Sequence, residues 1–104
     1  MKQLTVIVKP FRAEAVLQAA AELGVSAGVV REAKGYGRQK GYLERYVGSE
    51  YSLAFLPKVE ITVWVDDDQV AAVSERIMRV ARTGRIGDGK ILVVPLALPE
   101  PLEF

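Results

Sequence analysis

The chain has 104 residues, half of them hydrophobic and 26% charged, with 14 Lys and Arg against 13 Asp and Glu; this describes one folded domain with no charge excess to favour nucleic acid or an anionic membrane. It contains neither Cys nor His, which excludes a disulfide, a thiolate nucleophile, a His-based relay, a catalytic triad and a zinc site. No apolar run approaches the roughly 20 residues of a membrane span, and Leu4–Val8 is shorter than a signal-peptide core, so the chain reads as cytoplasmic, without membrane insertion.

Leu4–Val8 is short, apolar and β-branched, the pattern of a strand, and Pro10 ends it. Residues 12–23 are strong helix formers, with Val16, Ala19, Ala20 and Leu23 on one face and Gly24 placed as the C-terminal cap. A second strand is expected over Gly28–Ala33. Residues 35–56 match neither period. Val59–Val65 alternates cleanly and reads as a strand. Asp66–Asp68 offer an N-cap and negative charge to a helix in which Val70, Val73, Ile77 and Val80 recur at helical spacing up to about Arg82. Thr83–Gly89 is a glycine-rich loop, Ile91–Leu96 a last strand, and Pro95, Pro99 and Pro101 break the tail.

The order strand, helix, strand, strand, helix, strand predicts an α+β, ferredoxin-like βαββαβ domain. Both helices lie on one face of an antiparallel sheet, with a long loop between strands 2 and 3. Val59, Ile61, Val63 and Val65 then face the helices, while Glu60, Thr62 and Trp64 face away and Ile7 joins Trp64. A bare sheet face that carries Trp64, beside a last strand apolar on both sides, needs a cover; we expect a homo-oligomer packed through its sheets.

Three segments carry chemistry. Gly35-Tyr-Gly-Arg-Gln-Lys-Gly41 comes after a strand, and its closely spaced glycines let backbone N–H groups converge on an anion beside Arg38 and Lys40. Thr83-Gly-Arg-Ile-Gly-Asp-Gly-Lys90 is a second glycine–cation loop, without the spacing or the subsequent helix of a Walker motif. A single such loop is most simply a turn; two on one small domain favour a phosphorylated ligand. The long connection from Tyr36 to Phe55 holds Tyr42, Tyr46, Tyr51 and Phe55 among charges. That is too aromatic for a linker, and it suits either a binding element or a long hairpin packed on the body.

These motifs, together with Lys9-Pro-Phe11, Gly48-Ser-Glu-Tyr51, Phe55-Leu-Pro-Lys-Val59 and Ala81–Ile91, resemble the PII signal-transduction proteins along residues 1–96. The resemblance implies a homotrimer with an adenine-nucleotide site (ADP, AMP or ATP) in each cleft between subunits. It also implies a flexible loop, residues 37–55, that docks on a target transporter or enzyme to report nitrogen or carbon status, with residues 97–104 as a short tail. Carried over by position, Gly35, Gly37, Arg38 and Gln39 resemble nucleotide contacts, with Gly87, Asp88, Gly89 and Lys90 on the phosphate side and Ile7 and Trp64 at the adenine. Gln39, with Mg2+, and Lys58 match the positions that hold 2-oxoglutarate, and Tyr51 matches a tyrosine that some members have modified.

The chain departs from the family at Val29, where a threonine is common, and at Thr62, where a polar residue such as Glu often lies. Trp64 stands where the family has a small aliphatic residue, and residues 101–104 lack the two tail arginines that meet the phosphates. Losing two charge-assisted contacts at roughly 1.5–3 kcal/mol each weakens a triphosphate most, which favours ADP or AMP. An alternative within the resemblance is a diverged sensor of bicarbonate linked to inorganic carbon uptake or carboxysomes, with the anion near Arg38, Gln39, Lys40 and Gly41. A different class is a trimeric metal-tolerance protein on a similar fold, which the absence of His and Cys disfavours. No activated nucleophile is visible, so the chain is not expected to be an enzyme.

Overall fold

The computed structural model describes residues 1–35, 56–85, 87–100, 102 and 104. In chain order it has β1 (Lys2–Val8), a 3-10 turn (Pro10–Arg12), α1 (Ala13–Glu22), β2 (Gly28–Gly35) and β3 (Leu56–Val65). A second 3-10 turn (Asp67–Gln69), α2 (Val70–Ala81) and β4 (Gly89–Pro95) are the remaining elements among the described residues. The four strands form one sheet in the order β2-β3-β1-β4, every neighbouring pair antiparallel. This is the ferredoxin-like βαββαβ arrangement expected from the element order.

Alternation on β1 and β3 decides where the core lies. Leu4, Val6 and Val8 pair in register with Val63, Ile61 and Val59. All but Val59, which packs against it, share one buried cluster with Val16 of α1 and with Val73, Ile77 and Ala81 of α2. Leu4, Val6, Val8, Val16, Ile61, Val73 and Ile77 are each at most 1% exposed. Removing that apolar area from water, at about 25 cal/mol per Å², is the main force holding the helices to the sheet.

The helix ends reflect local chemistry. At the end of α1, Gly24 takes φ 86°, its N–H donates to the Ala21 carbonyl, and that of Val25 donates to the Ala20 carbonyl, both at 3.0 Å. This is a Schellman closure, as Gly24 suggested. Gly24→Ala forces a Cβ into left-handed backbone with no packing gained. It is expected to cost about 1 kcal/mol in urea denaturation; an unchanged midpoint would show that the turn does not need glycine.

The start of α2 differs from expectation. Neither Asp66, which precedes the 3-10 turn, nor Gln69, which precedes α2, makes a side-chain capping bond. Asp67 instead pairs with the N-terminal ammonium at 2.9 Å and with Lys2 at 3.2 Å. The intervening 3-10 turn separates the acidic run from the helix and leaves it free to pin the start of β1.

β3 begins at Leu56, three residues ahead of the clean alternation. β1 reaches only as far as Val59, so Leu56, Pro57 and Lys58 have β2 alone as a neighbour. A proline there removes no ladder bond on the β1 side.

The second face of the sheet is open. Register places Gln3, Thr5 and Ile7 of β1 on it, with Glu60, Thr62 and Trp64 of β3, Val29 and Arg31 of β2, and Lys90, Leu92 and Val94 of β4. Val29, Leu92 and Val94 are 42%, 49% and 40% exposed. Trp64 is half-buried, and its indole N–H donates to the Gln3 side-chain carbonyl at 3.1 Å. Its polar edge is therefore satisfied within one subunit, and the uncovered apolar surface is carried mainly by the edge strands.

Candidate functional site

The loop that joins α2 to β4 is held by a carboxylate. Asp88 Oδ2 accepts the backbone N–H groups of Thr83 and Gly84, both at 2.8 Å. Asp88 Oδ1 accepts the Thr83 hydroxyl and, at 3.3 Å, the Lys9 ammonium. One side chain thus closes the loop on itself and ties it to the end of β1. Burial alone would raise the Asp88 pKa, but the hydrogen bonds from Thr83, Gly84 and Lys9 outweigh it and hold the carboxyl far below its ordinary range. The resemblance puts Asp88 on the phosphate side of a ligand; here both of its oxygens are committed to shaping the loop.

Lys58 enters from β3. The residue is 9% exposed, and its ammonium donates to the Gly87 carbonyl at 2.8 Å. To get there it lies against Gly35, where a Cβ would sit 3.1 Å from Lys58 Cγ. Gly35, expected as a ligand contact, also clears a path for this lysine. Burial lowers the Lys58 pKa most, the positive charges of Lys9 and Lys90 lower it further, and Asp88 only partly compensates. Three ammonium groups therefore face one carboxylate around this loop, and an added anion would relieve their repulsion.

The start of β4 fixes where Lys90 points. Gly89 pairs with Val8 and Lys90 with Ile7, so Lys90 and Ile7 share the open face with Trp64. Gly89 can only be glycine, because its φ is 150° and a Cβ there would lie 2.4 Å from the Ile7 carbonyl oxygen.

Among the described residues, two hollows lie near this end of the sheet. One of about 120 Å³ lies between the helix-side residues Val6, Val8 and Ile77 and the Asp88–Ile91 stretch, too small for a nucleotide. The other, about 640 Å³, opens between Pro10, the Glu32–Lys34 stretch and Pro57–Val59, with Lys58 in its wall. That size suits a small-molecule site.

Of the expected ligand residues, the fold brings Gly35, Lys58, Gly87, Asp88, Gly89 and Lys90 to one end of the sheet. Ile7 lies beside Lys90, and Trp64 four residues further along β3 from Glu60, the partner of Ile7. Gly37, Arg38, Gln39, Lys40, Gly41 and Tyr51 lie outside the described residues, as does the rest of the 37–55 segment. Sequence reasoning missed Lys9 and Thr83 as site residues. Lys9 stood in a quoted motif, but nothing local linked it to an aspartate 79 positions away.

The lysine-rich surroundings fit the phosphates of a nucleotide. Among the described residues no group of three or more Asp, Glu, His or Cys forms a metal cage, and the oxygens of Asp88 are engaged. Also among the described residues, no helix is long and apolar enough to cross a membrane.

The family model described as nitrogen regulatory protein P-II matches residues 1–98. Nitrogen regulatory protein GlnK of Escherichia coli K12 is 51% identical over 96 residues, covering 92% of this chain and 86% of the relative. Nitrogen regulatory protein P-II 1 of Escherichia coli K12 is 50% identical over 97 residues, 93% of this chain and 87% of its own, and that of Salmonella typhimurium LT2 gives the same figures. A match over nearly the whole chain, at half identity and on the fold described, leaves one conclusion: the chain belongs to the P-II family of nitrogen regulatory proteins.

Proposed function

We propose that this P-II protein is a homotrimeric, non-enzymatic regulator that binds an adenine nucleotide in clefts between subunits and controls a target transporter or enzyme through residues 37–55, with 97–104 as a short tail. The observation that carries the reading is the excess positive charge of Lys9, Lys58 and Lys90 around a loop already shaped by Asp88. An anion there is attracted by a net positive charge and does not have to organise the loop. Ile7, beside Lys90, offers an apolar contact for a base on the open face, which Trp64 shares further along the sheet. Apolar residues exposed on both edge strands, Val29 and Val30 on β2 and Leu92 to Val94 on β4, support edge-to-edge and face-to-face packing of copies. The family match leaves the metal-tolerance reading without support.

Calorimetric titration with ATP, ADP and AMP tests this, with Trp64 fluorescence as a second readout and light scattering for mass. Micromolar binding with ADP or AMP at least equal to ATP, on a particle of three chains, is expected. No heat and no fluorescence change with any of the three would overturn it. Once nucleotide is bound, Gln39 and Lys58 favour 2-oxoglutarate with Mg2+ as the second effector. Bicarbonate titrated in parallel is the competing arm, and binding of bicarbonate alone would move the protein to inorganic carbon sensing.

A further inference from the structure

Lys58 matches a position where the family holds a second, carboxylate-bearing effector. Nothing in that role requires it to touch the phosphate loop. Yet here its ammonium is spent on the Gly87 carbonyl, 29 positions along the chain and on a separate loop. The geometry points to a second duty: Lys58 is a positioning residue for nucleotide binding, holding the Gly87 carbonyl inward so that the Gly87–Lys90 stretch presents its N–H groups and Lys90 to phosphate, and Gly35 is the position that lets it do so. This rests on reading the loop as a nucleotide site.

Three observations carry it. The bond is short, at 2.8 Å, and comes from a residue that is 9% exposed. Asp88 grips the first turn of the loop at Thr83 and Gly84, while Lys58 grips its far side at Gly87; neither anchor duplicates the other. Finally, the Lys58 stem passes over Gly35, where a methyl group would meet Cγ at 3.1 Å, Cε at 3.5 Å and Cδ at 3.9 Å. Gly35 has no positive φ to demand glycine, so the room it gives Lys58 is a sufficient reason for its lack of a side chain. Burial and the neighbouring Lys9 and Lys90 charges make this placement of an ammonium unfavourable on its own, as expected of a group kept for binding rather than for stability.

The test is ADP affinity with no 2-oxoglutarate or bicarbonate present, read by calorimetry on the full chain. Lys58→Met is expected to bind ADP about tenfold more weakly. The ratio should persist at 1 M salt, where the Debye length is about 3 Å, and the urea midpoint should be equal or higher. Lys58→Arg, which can still donate to the carbonyl, is expected to recover most of the affinity. Gly35→Ala keeps the charge but displaces the stem. It should weaken ADP in the wild-type background and add nothing in the Lys58→Met background, because the two act through one contact.

Four results overturn the inference. These are unchanged ADP affinity in Lys58→Met, a loss that vanishes at high salt, a loss matched by a lower urea midpoint, and additive effects of the Gly35 and Lys58 changes. The first three leave Lys58 respectively as an effector ligand only, a distant charge, or a structural lysine. If the unmodified chain binds none of ATP, ADP and AMP, the nucleotide reading itself fails and takes this inference with it. If it binds ADP and Lys58→Met binds equally, only the inference fails.

Discussion

Asp88→Ala is expected to lower unfolding stability at neutral pH by about 2–3 kcal/mol and to abolish detectable nucleotide binding. The carboxylate accepts from two backbone N–H groups, a hydroxyl and an ammonium. Hydrogen bonds to a charged group are worth more than neutral ones, and orphaned donors add to the loss. The figure stays modest because the Asp88 side chain is 21% exposed, so water replaces part of what is removed.

The pH dependence gives the same residue an independent signature. The folded state holds Asp88 below its ordinary value of 3.8, so the unfolded chain binds the proton more readily. Its stabilisation is therefore complete above about pH 4 and is lost progressively as the pH falls below that. Urea unfolding at pH 7 and pH 3, at fixed protomer concentration, should show a steep acid loss in the wild type and a shallower one in Asp88→Ala. Equal midpoints at pH 7 with identical acid slopes would remove Asp88 from its role as the loop's clasp.

The second large effect concerns assembly. Leu92→Glu places a carboxylate at the β4 position of the open face, in the row that runs through Thr5, Thr62 and Val29. Leu92 is 49% exposed in the single subunit and makes little contribution to its core. The isolated fold should therefore tolerate the change. In a trimer packed through these faces, three buried carboxylates would meet without partners, a cost of several kcal/mol per contact. Light scattering should report one-chain mass for the variant with an unaltered far-UV spectrum, together with lost nucleotide binding if the cleft needs two subunits. A variant that still elutes as three chains would show that the open face is not the surface joining them.

Where side-chain periodicity reports burial, the fold was legible in the sequence. The alternation of Val59–Val65 and the helical spacing of Val73 and Ile77 each identified an element and its inward face, because one hydrophobic core imposes both patterns. Asp66–Asp68 misled, since an acidic run before a helix suits an N-cap equally well as a clamp on a distant N-terminus, and only tertiary structure separates the two. The site was half legible. Glycines and cations marked the loop, but Lys9–Asp88 and Lys58–Gly87 join positions with no shared period. The sequence offered Asp88 as a ligand contact but did not reveal that its side-chain oxygens also hold the loop. The expected contacts from Gly37 to Gly41, and Tyr51, fall outside the described residues.

The close approach at Gly89 limits how this loop can change length. With the Ile7 carbonyl filling the space of a missing Cβ, β4 cannot slide along β1 to absorb an inserted or deleted residue. A shift by one would put a side chain into that carbonyl and turn Lys90 over to the helix side, exchanging a solvated cation for a buried one. A change in length between α2 and β4 must therefore be taken up within the connecting loop rather than by a register shift of β4.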